Sequence, residues 1–111
     1  MKKVDILGTE YTILHDVLPE SMPSDADGCM DCSTKIIKIA KQEITRNSLQ
    51  DMGEYTKKIL RHEIIHAFFY ESGLWNCSGS SDEWGMDETI TDWIAIQSPK
   101  LFKAFKDADA L

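Results

Sequence analysis

The chain has 111 residues, 42% hydrophobic and 28% charged, a balance that suits one globular domain and excludes a disordered composition. Twelve Lys and Arg stand against nineteen Asp and Glu, a net charge of −7, so broad attraction to nucleic acid or to anionic lipid is excluded. No apolar run approaches the roughly 20 residues of a spanning helix, and charges at Lys2, Lys3 and Asp5 come too early for a signal-peptide core. Three cysteines without a secretory setting fit reduced thiols, and the expected location is the cytoplasm.

Val4–Leu7 and Tyr11–Leu14 are short β-forming runs joined by Gly8-Thr9-Glu10, which predicts a hairpin. Pro19, Pro23 and their polar neighbours make 18–28 a loop. Cys29–Cys32 and Lys35–Ala40 bracket Ser33-Thr34 and read as a second hairpin, with Lys38 on a wet face. A helix follows. Ser48 with Asp51 signals its start, or Tyr55 or Thr56 if Gly53 is too poor an interior residue, and Ser72-Gly73 signals its stop. Ile59, Leu60, Ile64, Ile65, Ala67, Phe68 and Phe69 surround its axis, as in a central, buried helix. Asn76–Ser81 reads as a flexible loop, Met86–Gln97 as the next helix, and Pro99 as the break before a short last one through Leu101, Phe102 and Phe105. The expected fold is α+β: a small antiparallel sheet of N-terminal hairpins packed on a central helix, then one long and one short helix, all in a single domain spanning 1–111.

His62-Glu63-Ile64-Ile65-His66 lies in the middle of the apolar helix. Residues four apart differ by about 40° around a helix axis, so both imidazoles can reach one ion. Glu63 stands about 60° from His66, near enough to address a water on that ion without binding it. This is the H-E-x-x-H pattern, in which the imidazoles hold zinc and the Glu acts as general base. Two polar rings and an acid in the most apolar helix are costly without such a role. A catalytic zinc takes three protein ligands plus water, and Glu88-Thr89-Ile90-Thr91-Asp92 lies downstream with two acids one turn apart. Glu88 can ligate and Asp92 can accept the outer N–H of His62. Against this, Met86, Ile90, Trp93 and Ile94 form a core stripe nearly opposite the two acids, and periodicity alone turns them to solvent. A helix buried on both sides reconciles the two readings.

His62-Glu63-x-x-His66 followed by Glu88-x-x-x-Asp92 resembles the gluzincin arrangement of zinc metallopeptidases. Size and element order resemble the minimal gluzincins and the small bacterial and prophage-encoded ImmA/IrrE-like and SprT-like domains. A Gly-led hairpin ahead of the zinc helix, from Asp27-Gly28 to Ile39, fits the same pattern. The resemblance runs from Gly28 to Phe105. It implies one zinc ion held by His62, His66 and Glu88, with Glu63 as base and Asp92 as the orienter of His62. A metzincin is excluded, because Phe69 stands where that pattern has Gly and no third His follows. Larger gluzincins use a His or Tyr to stabilise the tetrahedral intermediate, and no clear counterpart is seen. Among the downstream acids, Glu71 lies about 140° around the helix from His66. Glu83 belongs to a helix-start cluster with Ser81 and Asp82. Asp87 has no acid one turn later. Within the predicted Met86–Gln97 helix, only Glu88 has a second carboxylate one turn later.

Cys29-x-x-Cys32 lacks the second pair that a structural zinc site needs, and reads as free thiols. His15 reads as a surface or loop residue. Tyr70, one turn beyond His66, can reach an oxyanion or simply pack. Lys100, Lys103 and Lys106 read as a solvated face. The expected function is zinc-dependent hydrolysis of a protein or peptide substrate by a monomer, with strand addition at an exposed edge near Ile36–Ile39. The rival is a catalytically silent zinc-bearing module that binds a partner protein.

Overall fold

The computed structural model describes residues 2–46, 48, 50–77 and 87–111. Strand β1 (Lys2–Ile6) pairs antiparallel with β2 (Thr9–Val17), Lys2 opposite Ile13 and Ile6 opposite Thr9. Their turn is tighter than the sequence suggests: Leu7 and Gly8, both at positive φ (51° and 91°), the two-residue geometry that follows the twist of the strands. Strand β2 continues through His15, which is therefore an exposed strand residue rather than part of a loop. A 3-10 turn at Pro19–Ser21 begins the connection to β3 (Gly28–Asp31), which pairs antiparallel with β4 (Ile36–Ala40). The turn between them is held by Asp31, whose Oδ1 accepts from the Ser33 N–H and hydroxyl and from the Thr34 N–H.

The strand order is β1-β2-β4-β3. Strand β4 inserts between β2 and β3 and runs parallel to β2, Ile13 opposite Ile37, so the sheet is mixed and not antiparallel throughout. The connection through β3 is long enough to return the chain in the same direction, which a tight hairpin cannot do. Ile36–Ile39 is consequently hydrogen-bonded on both sides and offers no edge. The free edge on that flank is β3.

Alternation sends Tyr11, Ile13, Ile37 and Ile39 to one face, where with Ile6 they pack on Ile59 and Ala67 of α1 (Gly53–Glu71). The helix begins at Gly53, whose N–H is accepted by Asp51, and ends before Gly73 at φ +86°. It is not buried all round. Ile59, Glu63, His66 and Ala67 are its buried residues, while Phe68 is 40% exposed, because so short a chain covers only part of the helix. The single turn α2 (Leu74–Cys77) takes in Asn76 and Cys77, expected in the loop; the rest of that loop, with Ser81, Asp82, Glu83 and Met86, lies outside the described residues.

Helix α3 (Glu88–Asp107) corrects two expectations. It runs unbroken through Pro99 where two helices were predicted. Proline removes the N–H that would bond the carbonyl four residues back, at Ala95, and the Arg61 Nε–H from α1 donates to that carbonyl instead, at 2.5 Å. Two members of the expected core stripe are turned outward: Ile90 and Trp93 are 38% and 55% exposed and Ile94 is half-buried, while Thr91 and Ala95 are fully buried. Small residues permit a close helix crossing, and the acids on that side find their partners on α1. Asp87 caps the helix by accepting from the Thr89 N–H. Lys100, Lys103 and Lys106 are exposed as expected. Among the described residues, no helix is long and apolar enough to cross a membrane.

Candidate metal centre

One turn of α1 separates His62 from His66, and their Nε2 atoms face each other at 3.1 Å. Glu88, the first residue of α3, closes the group: Oε1 lies 2.6 Å from His66 Nε2 and Oε2 lies 3.6 Å from His62 Nε2. One ligand atom from each of the three residues lies within 4.8 Å of the others. Two imidazole nitrogens and a carboxylate converging in this way are compatible with a metal ion. The histidines are nearly buried, whereas the Glu88 side chain is 74% exposed, so the third donor arrives from the solvent side.

The two histidines are held differently. His62 Nδ1 lies 3.2 Å from Asp92 Oδ1, which leaves Nε2 as the lone-pair donor toward Glu88. Lys58, one turn before His62, places Nζ 3.2 Å from the same Asp92 oxygen. Burial pushes the Asp92 carboxyl upward, but the Lys58 and His62 contacts outweigh it and hold Asp92 below the usual carboxylate value. His66 has no such carboxylate. Its Nδ1 is buried and has no hydrogen-bond partner among the described residues, and its ring is instead met edge-on by Trp75 of α2, centroids 5.7 Å apart. Burial is the main cause that keeps His66 below the ordinary imidazole value.

Glu63 is 8% exposed and lies beside the His–Glu group. Burial, and then the charge of Glu88, raises it to about 7. It lines a cavity of about 250 Å3 with His62, Glu88, Asp92, Gly28 and Tyr55. The Tyr55 hydroxyl donates to Asp27.

All five residues singled out in the sequence are therefore neighbours: His62, His66, Glu88, Asp92 and Glu63. Sequence reasoning missed Tyr55, Lys58 and Trp75. The first two were findable, because 55, 58, 59, 62 and 66 recur at helical spacing along one stripe. Tyr70 does not line the cavity; its ring packs on Trp75 and takes the Lys35 ammonium at 5.0 Å. Glu71 faces the sheet, accepting from Thr9, Tyr11 and Lys35. Cys29 and Cys32 are free thiols, in β3 and in the turn after it.

The chain matches no family model, no curated protein and no solved structure.

Proposed function

We propose that this chain is a minimal zinc-dependent peptidase of gluzincin type. The observation that carries the reading is the convergence of His62, His66 and Glu88 on one point with the buried Glu63 carboxylate beside it. Zinc, when bound, would lower the pKa of water to about 7 and polarise a carbonyl. The chain's own part is to hold and move protons. Glu63 takes a proton from water in the cavity and delivers it to the leaving amine. Asp92 keeps the His62 proton on Nδ1, and Lys58 keeps Asp92 ionised. An extended peptide would lie along the free edge of β3, Gly28–Asp31, which starts at the cavity wall.

Metal analysis and proteolysis test the reading together. Purified protein should carry about one equivalent of zinc, lose it in His62→Ala, and cleave denatured casein only while Glu63 is present. Zinc-loaded protein that generates no new termini in casein would overturn the peptidase.

One observation favours a second reading, a zinc-bearing module that binds a partner protein without turnover. The Tyr55 hydroxyl, whose one proton could serve a tetrahedral oxyanion from the cavity wall, is already donated to Asp27. Stoichiometric zinc with no cleavage by wild type is the outcome that reading requires.

A further inference from the structure

Gly28 opens β3 opposite Ile39, on the sheet face that α1 covers. A Cβ at this position would stand 2.7 Å from Ile59 Cγ2, 3.1 Å from Glu63 Cγ and 3.2 Å from Glu63 Oε2. The first distance is not attainable. Ile59 is β-branched, buried and held in a helix, where its χ1 has one strongly preferred setting, so its methyl group cannot swing aside. The strand cannot easily lift away either. Asp27, the residue before, is tied to α1 by the Tyr55 hydroxyl and to β4 by its carbonyl, which accepts the Ala40 N–H at 2.8 Å. A Cβ would therefore force β3 and α1 slightly apart at Ile59, and of its three contacts only those on Glu63 can be relieved by rotating a side chain.

We propose that Gly28 is a positioning residue for Glu63: the space left by its missing side chain is where the Glu63 carboxylate stands. The inference rests on the reading of Glu63 as the base, but its physical content, where that carboxylate lies, is independent of turnover. Gly28 is required here for close approach and not for an unusual backbone angle, so Gly28→Ala is a steric probe.

The experiment compares wild type, Gly28→Ala and Met30→Ala. Met30 packs on the core from the same strand and controls for general loosening of β3. The first readout is the NMR shift of the Glu63 side-chain carboxyl carbon in metal-free protein. The second is casein cleavage per bound zinc. Gly28→Ala should move the Glu63 resonance and lower turnover per zinc at least tenfold while zinc affinity stays within about threefold; Met30→Ala should lower the melting temperature and leave the Glu63 resonance in place. A Glu63 resonance unmoved by Gly28→Ala, or moved equally by Met30→Ala, overturns the proposal. If wild type cleaves nothing, the peptidase reading fails and the resonance alone decides the role of Gly28. Should Gly28→Ala not fold, Gly28→Ala/Ile59→Ala removes the 2.7 Å contact, retains those on Glu63, and is read against Ile59→Ala in the same way.

Discussion

Asp92 Oδ1 and His62 Nδ1 stand 3.2 Å apart, and that single oxygen also takes the Lys58 ammonium. The pair fixes which ring nitrogen of His62 faces Glu88. Removing it should leave three ligands in place but poorly aimed, so Asp92→Ala is expected to weaken zinc binding by about 10–100-fold. Glu88→Ala removes a donor and should weaken binding further. Competition with a chromophoric chelator measures both, and an Asp92→Ala loss larger than that of Glu88→Ala would reverse the two assignments.

Glu63→Gln keeps the shape of the side chain against Gly28 and removes its basicity. Zinc content should be unchanged, and casein cleavage should fall by about 10²–10⁴, the range typical of a general base. Cleavage retained at the wild-type rate would remove Glu63 from the chemistry.

Glu63 and Glu71 give stability opposite dependences on pH. Burial, reinforced by Glu88, raises Glu63 from 4.5 to about 7. In metal-free protein its contribution is fully present below the unfolded value of 4.5 and is lost as pH rises through about 7. Glu71 is the reverse case. Hydrogen bonds from Tyr11 and Lys35 hold it below its ordinary value, so its contribution is present above 4.5 and lost as pH falls through the folded value. Thermal melts in chelator should show Glu63→Gln flattening the decline toward pH 7, and Glu71→Gln flattening the acid limb.

The carbonyl that Pro99 leaves without a helical donor is the one Arg61 takes. Arg61→Met leaves the oxygen of fully buried Ala95 without a donor, at a cost of roughly 1–3 kcal/mol. In a Pro99→Ala background a restored N–H can reach that oxygen, and the cost should shrink. Urea unfolding of the four proteins gives the coupling directly, and equal costs in both backgrounds would contradict the shared carbonyl.

The ligand pair is legible because helix geometry alone brings His62 and His66 together, and the same four-residue step marks Glu88 and Asp92. The orientation of α3 is not. Ile90 and Trp93 outweigh Thr91 and Ala95 in apolar bulk, yet a close crossing favours the small residues, and the two acids find their partners on α1. Pro99 reads as a break because the local rule is blind to Arg61, thirty-eight residues earlier in a different helix. The parallel pairing of β2 with β4 is likewise non-local: Ile37 and Ile39 mark a buried strand but not which neighbour it takes. Gly28 shows the same limit, since a glycine at the start of a hairpin looks like a turn signal until Ile59 and Glu63 are seen beside it.

Helix α3 begins at Glu88, and His62 and His66 lie in the middle of α1. An ion held by all three would therefore tie together two helices that the backbone joins through residues 72–87. An ion bound by the folded chain but not by the unfolded one stabilises the folded state by about 2.7 kcal/mol when free metal is a hundredfold above its dissociation constant. Unlike a disulfide it can be withdrawn by a chelator, and its strength follows mass action through the free metal concentration. Withdrawal would loosen α3 from α1 while the sheet kept its own packing on Ile59 and Ala67. Helix α3 is then the part of the chain whose order tracks the supply of metal around it.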